Sequence, residues 1–208
     1  METKQATENL QVIRTLMERS AVYRRELAPI MLFAGGAGVL AAATGLWFRL
    51  TSASAFGWLW LVTALLAVAG AFLIARRQAL QAGEAFWSPP TRRVAQALLP
   101  PLLAGLCLGG GPLFIGQAGA EIAQRSALAW ILCYGCALHA AGFFMPRGIK
   151  VFGWLFMGSA CGLYYTFRAS GIHHDATQAH WLMGAFFGGL HLAYGGYLYL
   201  TERENPVA

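Results

Sequence analysis

The stretch that most constrains this chain is LWLVTALLAVAGAFLIA, residues 59–75, which carries no charge and almost no polar group. A helix needs about 20 mostly apolar residues to cross the hydrocarbon core of a bilayer. Five other stretches have the same character, so the predicted spans are 28–48, 56–75, 95–115, 127–145, 149–167 and 180–200. Composition agrees: 57% of residues are hydrophobic and 12% are charged, which sets the chain apart from soluble domains of similar length.

Backbone groups in lipid must be satisfied within the structure, which leaves helices or a closed barrel. Barrel strands alternate apolar with polar residues over about 10 positions, and residues 59–75 do not alternate. The predicted fold is therefore all-α: a six-helix transmembrane domain over 28–201, a cytoplasmic segment 1–27 before it, and a short cytoplasmic tail, 202–208.

Lys and Arg placement orients the spans. With the N-terminus inside, Lys4, Arg14, Arg19, Arg24, Arg25, Arg76, Arg77, Arg92, Arg93, Arg147, Lys150 and Arg203 are cytoplasmic, whereas Arg49, Arg125 and Arg168 are external. Both termini are thus predicted to be cytoplasmic in a bacterial-type inner membrane. The net charge of +6 reads as an orientation and lipid-surface signal, with Arg24, Arg25, Arg76, Arg77, Arg92 and Arg93 placed to meet anionic headgroups. Nucleic acid is not an expected partner. No cleavable leader is expected, because RTLMERSAVYRRE lacks a short apolar core with a cleavage site.

Before the first span, Thr7 is a candidate N-cap, and Leu10, Ile13, Leu16 and Met17 recur at helical spacing against Asn9, Arg14, Glu18 and Arg19. This predicts an amphipathic helix at the inner interface or a docking surface for a cytosolic partner.

The spans group into three hairpins whose second members share a string: LAVAG (66–70), LHAAG (138–142) and LHLAYG (190–195). His139 and His191 occupy matching places, with Ala67 in the third. They lie about 9 Å and about 13 Å from the inner span ends at 1.5 Å per residue. Ionisable side chains at such depth face the bundle interior. The simplest role is a hydrogen bond between helices; the sharper one is ligation of a haem iron or a soft metal by the pair.

Two further groups carry metal-ligand chemistry. CYGCALH (133–139) winds Cys133, Cys136 and His139 onto one side of a helix, although small thiols also serve simply as packing residues. The outer loop RASGIHHDATQAHW offers His173, His174, Asp175 and His180, good zinc or copper ligands without a fixed metal spacing. Small residues four apart, at Ala34/Gly38, Gly105/Gly109, Gly158/Gly162 and Gly184/Gly188, predict close helix contacts. Gly109 to Pro112 predicts an interruption of the third span.

No phosphate-binding glycine motif, His-Glu-x-x-His or convincing Ser–His–Asp set is present. The expected function is therefore non-enzymatic: an interaction or accessory component of a membrane complex, packing against itself or another membrane protein. The alternatives are a haem- or metal-binding redox protein using His139 and His191, and a small transporter or channel built around the third helix.

Overall fold

The computed structural model describes residues 27–83, 85–111, 120–170 and 175–203. The amphipathic segment with Arg24 and Arg25, Pro112, and the pair His173–His174 lie outside the described residues.

No strand occurs among the described residues. Helix α1 is Leu27–Trp47 and α2 is Ala53–Gln81. Helix α3 is Pro89–Gly105, running on into a π-helical segment, Leu106–Gly110. Helices α4 and α5 are Ala120–Ala141 and Arg147–Ser170. Helix α6 begins as Ala176–Met183, passes through a second π-helical segment, Gly184–Leu190, and continues as His191–Arg203.

The helix ends follow from their sequences. Ser52 caps α2 by accepting from the Ala55 amide at 3.2 Å, and Asp175 caps α6 by accepting from the Gln178 amide at 3.0 Å. Pro89 and Pro90 open α3, where their missing amides cost nothing. Helix α2 ends at Gly83, whose φ of 67° only glycine adopts freely. Helix α1 ends with Arg49 in the left-handed region, φ 48°. The Leu50 amide bonds the Gly45 carbonyl at 2.9 Å and the Arg49 amide bonds the Leu46 carbonyl at 3.3 Å, which is a Schellman turn.

The sequence expectation of a break from Gly109 is met differently. The helix runs through Gly109 and Gly110 as a π turn and is still helical at Gly111. Wider i→i+5 bonding keeps most backbone groups paired, which an apolar medium demands.

Three helices, Leu27–Trp47, Ala53–Gln81 and Pro89–Gly110, are long and apolar enough to cross a membrane. Helices α4 and α5, of 22 and 24 residues, have comparable length but carry more polar side chains, among them Gln124, Ser126, Tyr134, His139 and Lys150.

Close packing rests on glycine. Helices α1 and α6 run antiparallel: a Cβ on Gly35 would overlap Leu192, one on Gly38 would meet the Phe187 and Gly188 backbone, and one on Gly45 would overlap the His180 ring. From the other side, Gly184 faces Ala42 and Gly195 faces Leu32. Helices α4 and α5 pair in the same manner, Gly135 against Met157, Gly153 against the His139 backbone, and Gly142 against Lys150. Small residues with backbones this close are how helices associate where no hydrophobic drive exists between them.

Apolar side chains cover the outside of the bundle as well as filling its core. Gln124, Ser126, His180 and His191 are buried, while Leu65, Leu66, Val68, Leu108 and Leu200 are each at least 60% exposed. Helix α2 is the extreme case, burying only Phe56, Gly57 and Trp60 of its 29 residues.

Candidate functional site in the helical core

Two histidines, each 1% exposed, organise the polar interior. His180 lies one turn inside α6. Its Nδ1 is 3.1 Å from Trp60 Nε1 of α2, and its Nε2 is 3.1 Å from the Leu50 carbonyl in the α1–α2 turn. An indole nitrogen only donates, so Nδ1 accepts; a carbonyl only accepts, so Nε2–H donates. This fixes a neutral ring in one tautomer. The Schellman turn at Arg49 brings Leu50 to the ring, and Gly45 removes the side chain that would block it. Phe56 closes the site edge-on at 5.0 Å and stacks on Trp130 of α4 at 5.9 Å.

His191 lies at the end of the second π-helical segment. Its Nδ1 is 3.0 Å from the Phe186 carbonyl and its Nε2 is 2.8 Å from the Tyr134 hydroxyl of α4. The carbonyl makes Nδ1–H the donor, so in the neutral ring Nε2 accepts from Tyr134, the opposite tautomer to His180. The π turn supplies the acceptor: it leaves the Phe186 carbonyl, five residues back, within reach of the ring. Phe152, Phe156 and Phe187 surround the imidazole at 5.2, 5.6 and 6.0 Å between centroids.

His139 has different surroundings. Its ring packs edge-on against Phe143 at 5.5 Å and Trp154 at 5.3 Å, and its Nδ1 is buried without a hydrogen-bond partner. It shares no ring neighbour with His191 among the described residues. Tyr134 and His139 are five positions apart on α4, about 140° around the helix at 3.6 residues per turn. One faces α6 and the other faces the α5 side. A haem between His139 and His191 would therefore have to displace Tyr134 from Nε2 or Phe186 from Nδ1.

The cysteines also diverge. Cys133 lies against Gly105 of α3, whereas Cys136 Sγ is 3.5 Å from Met157 Sδ of α5. Cys107 and Cys161 are exposed. In the outer loop, Asp175 spends one carboxylate oxygen on the α6 cap, and His180 is turned into the core with both nitrogens engaged. No group of three or more His, Cys, Asp or Glu side chains suited to a metal occurs among the described residues.

Arg76 and Arg77 line a shallow groove on α2 with Leu73, Leu80 and Gln81, and Arg92 and Arg93 are exposed in the first turns of α3. Trp60, Leu50, Tyr134 and Phe186 carry the core network without having been marked by sequence. One signal for His180 was available: Asp175 and Gln178 have capping-box spacing, which starts the helix at Ala176 and puts His180 inside it. No protein-family model, curated protein or solved structure matches this chain.

Proposed function

We propose that this chain is an integral inner-membrane protein whose six helices all cross the bilayer, with both termini cytoplasmic. We infer that it serves as an accessory subunit, with α2 as the lateral contact for a partner embedded in the same membrane. The many large apolar side chains on the exterior support the first part. The antiparallel α1–α6 and α4–α5 pairs fit an up-and-down chain with an even number of spans. The basic residues Arg76, Arg77, Arg92 and Arg93 would then sit among anionic headgroups.

The observation that carries the accessory reading is the exposed apolar face of α2. It presents Val62, Leu65, Leu66, Val68, Phe72 and Leu73 outward, while its other side meets α1, where a Cβ on Gly70 would overlap the Phe33 ring. An apolar face that the protein's own helices leave uncovered suits an element completed by another chain.

The test is photo-cross-linking in native membranes from single positions. A discrete protein adduct is expected from Leu65, Leu66 and Phe72, and lipid adducts alone from Val151 and Leu155, which are exposed on α5. Lipid adducts alone from α2 as well would refute the reading.

A further inference from the structure

We propose that Cys136, His139 and Met157 form a binding site for a monovalent soft metal ion, Cu(I), in the seam between α4 and α5. Three observations converge there. A Cβ on Gly135 would lie 2.8 Å from Met157 Cγ and 2.9 Å from the Gly153 carbonyl oxygen, so the missing side chain of Gly135 makes the notch that Met157 enters. Cys136, the next residue, places its Sγ 3.5 Å from Met157 Sδ. His139 follows one turn later on the same side of α4. Helical side chains lean toward the N-terminus, so its ring leans over the turn that holds Gly135 and Cys136.

The third observation is an anomaly. His139 Nδ1 is buried and has no hydrogen-bond partner, although His180 and His191 have both ring nitrogens engaged. Buried polar atoms are nearly always satisfied, and an exception calls for a cause. Phe143 and Trp154 pack edge-on against the ring, and neither engages Nδ1.

Donor chemistry selects the ion. A thiolate and a thioether favour Cu(I), and imidazole accepts it as well. Charge selects it again: one thiolate with Cu(I) gives a neutral assembly, whereas Zn(II) would leave a net positive charge in apolar surroundings. A fixed positive charge nearby, Lys150, whose Nζ lies 3.6 Å from the centroid of the Phe143 ring, further disfavours a divalent ion. Binding breaks the Cys136 S–H bond, forms the S–Cu bond and releases one proton to solvent, with no change of oxidation state. Cys133, the other thiol of the sequence motif, faces α3 and takes no part.

The experiment uses the full chain in detergent, with exposed Cys107 and Cys161 replaced by serine. Under anaerobic, reducing conditions it is titrated with Cu(I) against a chromogenic Cu(I) chelator. The expected result is one ion retained per chain, with an X-ray absorption spectrum showing sulfur and nitrogen ligands. Cys136→Ser and Met157→Leu should each weaken retention at least about 100-fold and His139→Phe at least about tenfold, in line with the loss of a direct ligand, while Cys133→Ser leaves it unchanged. Met157→Leu nearly conserves volume, so its effect reads ligation rather than folding. Failure to retain Cu(I), equal retention by Cys136→Ser, or equally tight binding of Zn(II) would overturn the proposal.

Discussion

Replacing Trp60 and His180 together should harm the protein less than the two single replacements add up to. In His180→Phe the ring volume is kept, but the Trp60 N–H and the Leu50 carbonyl both lose their partner. Each buried orphan costs about 1–3 kcal/mol. Trp60 is 3% exposed and His180 1%, so water does not replace the bond between them. Two such orphans total about 2–6 kcal/mol, above the average of about 0.6 kcal/mol for interhelical hydrogen bonds in membranes. In Trp60→Phe the indole donor is gone and Nδ1 of His180 becomes the orphan. In the double variant only the Leu50 carbonyl is left unsatisfied. The smaller ring at position 60 costs packing in both backgrounds and cancels in the cycle.

The cycle should therefore depart from additivity by at least ~1.5 kcal/mol, about a tenfold factor in the unfolding constant. Reversible unfolding in mixed micelles, titrated with a denaturing detergent and followed by far-UV circular dichroism, measures it for all four proteins. Additivity within ~0.3 kcal/mol would refute the assignment of Trp60 and His180 as partners. It would also return His180 to the pool of free ligands that its position beside His173, His174 and Asp175 suggests from sequence.

Two backbone features give further tests. Gly38→Ala puts a Cβ 2.5 Å from the Phe187 carbonyl oxygen and 2.7 Å from the Gly188 amide. Helix α1 must then move off α6 at about 1–3 kcal/mol. Gly36→Ala, which meets nothing within 4 Å, should leave detergent unfolding unchanged or slightly improved. Arg49→Gly relieves a residue with φ 48°. Left-handed backbone costs about 1–2 kcal/mol, against about 0.5–1 kcal/mol of lost chain entropy, so stability should rise by about 0.5 kcal/mol in the same unfolding assay. A decrease would mean that the Arg49 side chain outweighs its backbone strain.

Much of the fold can be read from the sequence because long apolar runs follow a coarse rule. A run of apolar residues marks a helix, and the helices found coincide with the six runs while extending past most of their ends. Local chemistry sets those ends: Ser52 and Asp175 cap α2 and α6, and Pro89 and Pro90 open α3, so all three start before their apolar cores. Small-residue pairs predict contact less evenly. Gly38 and Gly188 meet, and Gly105 and Gly109 receive Cys133 and Trp130, yet Gly158 and Gly162 face open space. A pair of glycines permits an approach from one side of a helix; which helix comes, or none, depends on the neighbours. Trp130 shows the converse: by position it resembles an interface anchor, but Gly109 opens a place for it beneath α3 and Phe56 stacks on it.

The histidines show where sequence reasoning runs out. Depth along a helix is linear in residue number, so His139 and His191 can be placed at similar levels by counting. Azimuth advances about 100° per residue, and the direction in which a partner lies is a property of the assembled bundle. Tyr134, five residues before His139, points to α6 and meets His191 there, whereas His139 meets Trp154. The π turn before His191 adds a shift that no periodicity count contains, because it rotates the rest of α6 relative to Ala176–Met183 and brings the Phe186 carbonyl to the ring. The result is two histidines with filled hydrogen-bonding capacity acting as ties between helices. The third keeps an empty lone pair or an idle N–H one helical turn from the Cys136–Met157 sulfur contact, and chemistry beyond packing is to be sought there.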